Sequence, residues 1–221
     1  HFSLDNFKKL DKIGKGGFSE VFKVQDQTNE KIYAAKILVK KSAQNSKELI
    51  SRLACEVNII SKLNHPAVLK FIGYNPIDFE KRARPVIITE YASNTTLEYI
   101  IHLARHNKTL PFWNDTMRLI SIYGIASGMQ YLHSQNISHH DLKPGNILMD
   151  DFFFPKIADF GLAETQKEEQ SEKPSKPSTS MKGTPKYIAP EVWKKSQYTK
   201  AGDVYAFSII MYEIMTSLVP F

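Results

Sequence analysis

A stretch in the second half of the chain, residues 137–160, holds side chains that suit chemistry on a phosphate. Among its polar residues are the acids Asp141 and Asp159, with Lys143 and Asn146 between them. Carboxylate and amide oxygens bind Mg²⁺, and a lysine ammonium neutralises negative charge that develops on oxygen. These residue types therefore favour a metal-assisted reaction of a phosphate. A polar loop with a solvated lysine is the plainer alternative.

Two short apolar runs in this stretch predict the strands of a β-hairpin. They cover 146–149 and 156–158, and the chain turns at Asp150-Asp151. A hairpin brings its two ends together. The loop that precedes the hairpin and Asp159 at its far end are therefore expected to face one small volume.

The order of these residues resembles the catalytic loop and the Asp-Phe-Gly motif of eukaryotic protein kinases. The loop reads His-x-Asp-x-Lys-Pro-x-Asn from His139, and Asp-Phe-Gly begins at Asp159. The resemblance implies phosphoryl transfer from Mg²⁺-ATP, in which Asp141 orients the substrate hydroxyl and accepts its proton. Lys143 would stabilise the transferring phosphoryl group, and Asn146 would bind Mg²⁺ together with Asp159.

Two predicted strands, 7–13 and 20–25, flank the glycine-rich segment 14–19, and residues 31–38 predict a third strand. Glycines permit a tight turn and let backbone amides approach phosphate oxygens. An ordinary glycine-rich hairpin has the same local pattern, so this segment alone does not separate the two interpretations. The strands on both sides argue against a dinucleotide-binding fold, in which such glycines open a helix.

Lys36 lies among apolar residues on the third predicted strand, and Glu56 lies beside the apolar stripe of a helix predicted over 48–63. A half-buried carboxylate there requires a cation, which Lys36 can supply. The pair resembles the strand lysine and helix glutamate with which kinases hold the α- and β-phosphates of ATP. The alternative is an edge lysine whose ammonium lies in water.

The resemblance assigns further residues to ATP, in a cleft between two lobes. Thr89 would lie behind the adenine, and the backbone of Glu90 and Ala92 would bond to the base. The complete expected set is Lys36, Asp141, Lys143 and Asn146 for catalysis, with Ile13, Gly14, Lys15, Gly16, Gly17, Phe18, Ser19, Glu20, Val21, Ala34, Lys36, Glu56, Thr89, Glu90, Ala92, Leu148 and Asp159 for nucleotide binding.

Residues 164–181 contain almost no apolar side chains and two prolines, which predicts a mobile segment. They precede an Ala-Pro-Glu motif, so they lie where kinases have their activation segment, here 159–191. Residues 183–188 resemble the loop that docks the substrate. The apolar run 203–215 resembles the central helix of the large lobe, with Asp203 binding the backbone of the catalytic loop.

Two positions differ from the family pattern. Ser19 replaces the third glycine of the glycine-rich loop, and His140 replaces the arginine of His-Arg-Asp. That arginine pairs with a phosphate on the activation segment, whereas neutral imidazole has one donor and an ordinary pKa of about 6.5. We therefore expect activity to depend weakly on phosphorylation of this segment. The sites in question are Ser175, Ser178, Thr179 and Ser180, and the cations that would otherwise take the phosphate are Lys182 and Lys186.

Composition indicates a globular protein, with 42% hydrophobic and 24% charged residues among 221. The single cysteine, Cys55, excludes an internal disulfide and predicts a reducing, cytoplasmic setting, with Cys55 itself buried. No apolar run is long enough for a membrane span, and the N-terminus lacks a signal-peptide core. The net charge of +6 comes from scattered residues, which argues against a dedicated nucleic-acid surface.

Three histidines, His133, His139 and His140, lie close together in sequence. No fourth ligand of suitable type is near them, so we expect His139 to be a core residue and not a zinc ligand. The helix predicted over 112–134 carries an apolar stripe in which Tyr123 is expected to face mostly inward.

The whole sequence predicts an α+β, two-lobed protein-kinase-like fold over 1–221. A small antiparallel β lobe with one helix and the hinge would occupy 1–92, and a mainly helical large lobe 93–221, without the last helices of the family. The Lys143-Pro144 pair and Thr184 favour serine and threonine hydroxyls of protein substrates, and the tyrosine-kinase-like group is the nearest resemblance.

Two other functional classes remain open. A pseudokinase would bind nucleotide and signal without catalysis, and His140 and Ser19 favour it. Phosphoryl transfer from radiolabelled ATP distinguishes the two. A non-catalytic basic binding module does not explain why Lys36, Glu56 and Asp141 follow one another with family spacing. The sequence leaves the oligomeric state open.

Overall fold

The computed structural model describes residues 2–17, 19–39, 46–108, 110–165, 183–195 and 198–220. The chain forms two compact units: unit 1 is His1–Asn64 with Leu69–Tyr91, and unit 2 is His65–Val68 with Ala92–Phe221. Some residues singled out in the sequence lie outside the described ranges, namely Phe18, Ser175, Ser178, Thr179, Ser180 and Lys182.

Unit 1 is built on a five-stranded antiparallel sheet. Its strands are β1 (Phe7–Lys15), β2 (Ser19–Asp26), β3 (Ile32–Leu38), β4 (Phe71–Asn75) and β5 (Val86–Glu90), in the order β1-β2-β3-β5-β4. Side chains alternate between the two faces of a strand, so one face collects the apolar residues. The core of that face is Leu4, Val24, Ala35, Ile37, Val86 and Ile88. Lys36, between two core residues of β3, is thereby directed to the opposite face.

Within the described residues, unit 1 also contains one helix, α1 (Ser46–Ile60). Leu53, Glu56 and Ile60 are buried, at the i, i+3 and i+7 spacing of one helix face. Cys55 is exposed, so the prediction of a buried cysteine was wrong. It lies about 200° around the helix from Leu53, because each residue turns the helix by about 100°.

In the part of the chain that the structure describes, unit 2 contains the other α-helices, α2 (Leu97–Arg105), α3 (Asp115–Ser134), α4 (Pro190–Lys195) and α5 (Lys200–Thr216). It also has two short antiparallel pairs, β6 (Ile137–Ser138) with β9 (Glu164–Thr165) and β7 (Ile147–Met149) with β8 (Pro155–Ile157). None of the helices in the described ranges has the length and hydropathy needed to span a bilayer.

Helix α3 packs closely on the β7–β8 hairpin because two of its residues lack side chains. A Cβ on Gly124 would lie 2.6 Å from Pro155, and one on Gly128 would lie 2.7 Å from Ile157. This packing fixes which face of α3 is inside. Tyr123 is 76% exposed, so its predicted inward orientation was wrong.

Candidate active site

The loop of unit 2 that resembles a kinase catalytic loop, residues 139–146, is held by Asp203, near the start of α5. Its two carboxylate oxygens accept hydrogen bonds from the backbone amides of His139 and His140, each at 2.9 Å. His133 Nε2 lies 2.9 Å from the same carboxylate. Burial by itself raises the pKa of Asp203, but the bonds from His133 and the two amides outweigh burial, and the pKa lies below its usual value. The predicted contact between Asp203 and the loop backbone is present.

Asp141 lies at the centre of a small polar network. Lys143 Nζ is 2.8 Å from Asp141 Oδ2 and donates to Thr184 Oγ1 at 2.8 Å. Thr184 Oγ1 in turn donates to Asp141 Oδ1 at 2.9 Å. An acid, an ammonium and a hydroxyl therefore occupy one volume, and the carboxylate is held in a single orientation.

Asn146 connects this network to the hairpin. Its amide nitrogen donates to the backbone oxygen of Asp141 at 2.8 Å and to Oδ2 of that residue at 3.1 Å. Its backbone oxygen accepts from the amide of Ala158 at 2.9 Å. Asp159 is the next residue after Ala158, so it lies where the end of β8 meets the loop of Asp141 and Asn146.

The residues at this point fit a magnesium ion. With its nitrogen donating, Asn146 presents an amide oxygen, and Asp159, in the left-handed region at φ 62°, presents a carboxylate. Mg²⁺ is commonly held by one or two such protein ligands together with phosphate oxygens and water. Within the described ranges no three His, Cys, Asp or Glu residues converge on a metal position.

His139 is a core residue, as the sequence predicted. Its ring is fully buried, Nε2 lies 3.0 Å from the backbone oxygen of Ala158, and the ring of Phe160 lies 5.2 Å away. The ring of His139 thereby packs against the residues on both sides of Asp159.

His140 has a different environment, with φ at 66° and its ring 4.8 Å from that of Tyr198. Its Nε2 is buried, without a hydrogen-bond partner in the part of the chain that the structure describes. Burial lowers the pKa of His140, and the nearby carboxylates of Asp203 and Glu164 only partly oppose this shift. The side chain is therefore neutral at pH 7.

In unit 1, Lys36 and Glu56 form an ion pair. Lys36 Nζ lies 2.7 Å from Glu56 Oε1, and Glu56 is only 7% exposed. On β2, Val21 is the partner of Lys36, and on β5 Ile87 is. Two flanking strands and a helix carboxylate thus determine the position of this ammonium.

The glycine-rich segment of unit 1 is the turn between β1 and β2. Gly16 N donates to the backbone oxygen of Ser19 at 2.8 Å, and Lys15 pairs with Glu20 across the turn. A Cβ on Gly16 would come within 3.2 Å of Ser19 Oγ. The predicted strand-turn-strand context is present, and Ser19 closes the turn in place of a glycine.

The remaining predicted residues divide between the two units. In unit 1, Thr89 pairs with Ala34, and Glu90 exchanges backbone and side-chain hydrogen bonds with Lys70 at 2.9 and 2.8 Å. Unit 1 also holds Ile13, Gly14, Lys15, Gly16, Gly17, Ser19, Glu20, Val21, Lys36 and Glu56, while unit 2 holds Ala92, Asp141, Lys143, Asn146, Leu148 and Asp159.

Sequence reasoning did not find the contact of Thr184 with Asp141 and Lys143. Asp141 and Thr184 are 43 residues apart, and no local pattern links them. The approach of Glu98 Oε2 to Gly145, where a Cβ would lie 3.0 Å away, gave no signal either, since an acid in the first turn of a helix is common.

Comparison with known proteins agrees with this geometry. The family model described as "Protein kinase domain" matches residues 7–221. Cysteine-rich receptor-like protein kinase 10 of Oryza sativa subsp. japonica is 35% identical over 97% of this chain and 31% of its own length. Probable serine/threonine-protein kinase PBL23 of Arabidopsis thaliana is 34% identical over 96% of this chain and 52% of its own length.

A third relative, serine/threonine-protein kinase PLK4 of Drosophila sechellia, is 32% identical over 99% of this chain and 26% of its own length. The chain thus spans about a quarter to a half of the length of these relatives. The family match covers the glycine-rich turn, Lys36, the Asp141 loop and Asp159. The chain therefore belongs to the protein kinase family, and its α+β fold is that of a protein kinase domain.

Proposed function

We propose that this chain transfers the γ-phosphoryl group of Mg²⁺-ATP to serine and threonine hydroxyls of protein substrates. The observation that carries the proposal is the network in which Lys143 and Thr184 contact both each other and the carboxylate of Asp141. A carboxylate held in this way can accept a proton from a hydroxyl. The ammonium beside it can stabilise the negative charge that develops on a phosphoryl oxygen.

The residues have distinct roles in this proposal. Asp141 orients the substrate hydroxyl and takes its proton, and Lys143 stabilises the transferring group. Asn146 and Asp159 hold Mg²⁺, and Lys36, fixed by Glu56, holds the α- and β-phosphates. Bound ATP supplies the phosphoryl group, and the metal neutralises its charge.

Preference for serine and threonine is supported by two observations. Lys143 is followed by Pro144, a pair typical of serine/threonine kinases. The hydroxyl of Thr184 lies 2.9 Å from Asp141 Oδ1. Two of the relatives are named serine/threonine-protein kinases. The boundary between the units after Tyr91 supports a small nucleotide-binding lobe over 1–92 and a large catalytic lobe over 93–221.

The test is transfer of radiolabelled phosphate from ATP to generic serine- and threonine-containing substrates by the full-length protein. We expect Asp141→Asn to keep nucleotide binding and to lose about 10²- to 10⁴-fold in turnover, the usual contribution of a general base. Lys36→Met is expected to lose most turnover through misplaced phosphates.

Three outcomes would change the assignment. Nucleotide binding without phosphoryl transfer in the wild-type protein would identify a pseudokinase. Nearly full turnover of the Asp141→Asn protein would remove Asp141 from the reaction. Wild-type activity of the Lys36→Met protein would remove Lys36 from the phosphate site.

A further inference from the structure

Helix α2 carries two histidines one turn apart at its C-terminal end. His106 is the C-cap residue and His102 lies four residues before it, a spacing that places both on one side of the helix. Both residues are exposed, and neither has a role in the chemistry described so far. Imidazole nitrogens bind Zn²⁺, Cu²⁺ and Ni²⁺. The pair therefore has the residue types and the spacing of a small transition-metal site.

The two rings already lie near the separation that a shared metal needs. Their centroids are 4.3 Å apart, with an angle of 46° between the ring planes. A metal with two imidazole nitrogens about 2.0–2.1 Å away, at an angle of about 90–110°, holds the ring centroids about 4.5–5.2 Å apart. Exposed side chains adjust by a few tenths of an ångström through small rotations. Binding a metal therefore requires little rearrangement of the pair, which favours affinity.

A hydrogen bond orients the ring of His106. Its Nδ1 lies 2.8 Å from the backbone oxygen of His102. Because a carbonyl oxygen only accepts, Nδ1 carries the proton, and in the neutral ring the lone pair available to a metal is then on Nε2. Metal-binding histidines commonly donate their other ring N–H to a carbonyl in this way, which fixes the tautomer. Nε2 of His106 is thus prepared as a ligand.

The surroundings of His102 leave its nitrogens accessible to a metal. Its ring stacks with that of Tyr99 at a centroid distance of 6.4 Å, a contact through the face of the ring and not through its edge. Among the residues that the structure describes, none forms a hydrogen bond with either ring nitrogen of His102. The neighbouring cation, Arg105, donates from Nε to the backbone oxygen of Ser217 at 2.9 Å. The C-terminal end of a helix also carries a partial negative charge, which attracts a cation.

From this geometry we propose that His102 and His106 bind a divalent transition metal that prefers imidazole ligands, such as Zn²⁺, at the C-terminal end of α2. No group of three His, Cys, Asp or Glu side chains suited to a metal occurs in the described part of the chain, so water fills the remaining positions of the ion. A metal held by both rings links the last two turns of the helix. The inference is independent of the proposed function, because it uses neither nucleotide nor any residue assigned to phosphoryl transfer.

The test is calorimetric titration of the full-length protein, without a histidine tag and without nucleotide, with Zn²⁺ and separately with Mg²⁺. We expect Zn²⁺ to bind to the pair and Mg²⁺ not to bind there, because Mg²⁺ prefers oxygen ligands. His102→Gln and His106→Asn should each weaken the affinity for Zn²⁺ at least about tenfold, because the remaining ligand loses the gain from its neighbour. The amide of the asparagine can still donate to the His102 carbonyl, so this variant removes the metal ligand and keeps the hydrogen bond.

Tyr99→Phe is the matched control, because it keeps an aromatic ring beside His102 and should leave the affinity for Zn²⁺ unchanged. Hydrogen–deuterium exchange then locates the ion. The amides of His106, Asn107 and Lys108 donate to carbonyls of the last turn of α2. Zn²⁺ should slow their exchange in the wild-type and Tyr99→Phe proteins and not in the His102→Gln protein.

Three results would overturn the inference. The first is a wild-type protein that does not bind Zn²⁺ at submillimolar concentrations. The second is wild-type affinity for Zn²⁺ in the His102→Gln and His106→Asn proteins, which would place the bound ion elsewhere. The third is unchanged exchange at the end of α2 while Zn²⁺ is bound. Loss of phosphoryl transfer in the wild-type protein would bear on the proposed function alone and would leave these measurements intact.

Discussion

Replacing Thr184 with valine tests the network around Asp141 with little change of shape. The substitution removes the hydroxyl that donates to Asp141 at 2.9 Å and accepts from Lys143 at 2.8 Å. A hydrogen bond to a charged group contributes about 1.5–3 kcal/mol. The side chains of Asp141 and Lys143 are 12% and 28% exposed, and their direct contact remains, so water and this contact offset part of the loss.

We therefore expect the transition state to lose about 1.5–2 kcal/mol, which corresponds to a roughly 10- to 30-fold fall in kcat. The KM for ATP should stay within about twofold, because this threonine contacts neither Lys36 nor the two expected metal ligands.

Steady-state kinetics of the full-length protein, with Thr184→Ser as the matched control, decides the matter. Serine keeps the hydroxyl and should retain most of kcat. Nearly wild-type kcat for Thr184→Val would refute the argument that this hydroxyl orients Asp141. Because valine keeps the methyl group of threonine, a loss of kcat confined to the serine protein would show that the methyl group, and not the hydroxyl, matters.

Three further predictions follow from the site. Asp159→Ala should abolish the Mg²⁺-dependent gain in nucleotide affinity measured by calorimetry, and an unchanged gain would assign the metal elsewhere. Asp203 has a lowered pKa, so the stability it contributes is present above its ordinary pKa of 3.8 and is lost as the pH falls through the lowered value. Urea unfolding should therefore show the Asp203→Asn protein less stable than the wild type by about 3 kcal/mol at pH 7, with a smaller difference below pH 4. A difference that does not change with pH would contradict this prediction. Because His140 is neutral, phosphatase treatment should change the turnover of the wild-type protein little, and a large fall in turnover would refute this. His140→Arg should make turnover respond to removal of phosphate, and an unchanged turnover in this variant would show that position 140 is not the sensor. Mass spectrometry identifies the modified sites in both proteins.

Local sequence contained much of this site. Asp141, Lys143 and Asn146 lie within a segment of six residues, so a single loop places them together whatever surrounds it. The glycine-rich turn is likewise a local feature, because hydrogen bonding between Gly16 and Ser19 closes it. Family resemblance added the ion pair of Lys36 with Glu56, two residues that lie on different elements.

Burial was predicted less well. Helical spacing indicates that a helix has an inner face, but the direction of that face depends on the neighbours. Tyr123 lies outside because Gly124 and Gly128 turn the adjacent face of α3 toward the hairpin. Cys55 is outside because Leu53 and Glu56 occupy the inner face of α1.

The sequence by itself determined the residue types and local order of the catalytic loop and the glycine-rich turn, and its resemblance to protein kinases predicted the family, the fold and the residues expected to handle phosphate. Only the tertiary structure decided that Thr184 completes the network of Asp141, that Nε2 of His140 is buried, and that Glu98 Oε2 approaches Gly145. Each of these joins segments distant in sequence. Their contact depends on how helices and strands pack, and no spacing along the chain contains that information.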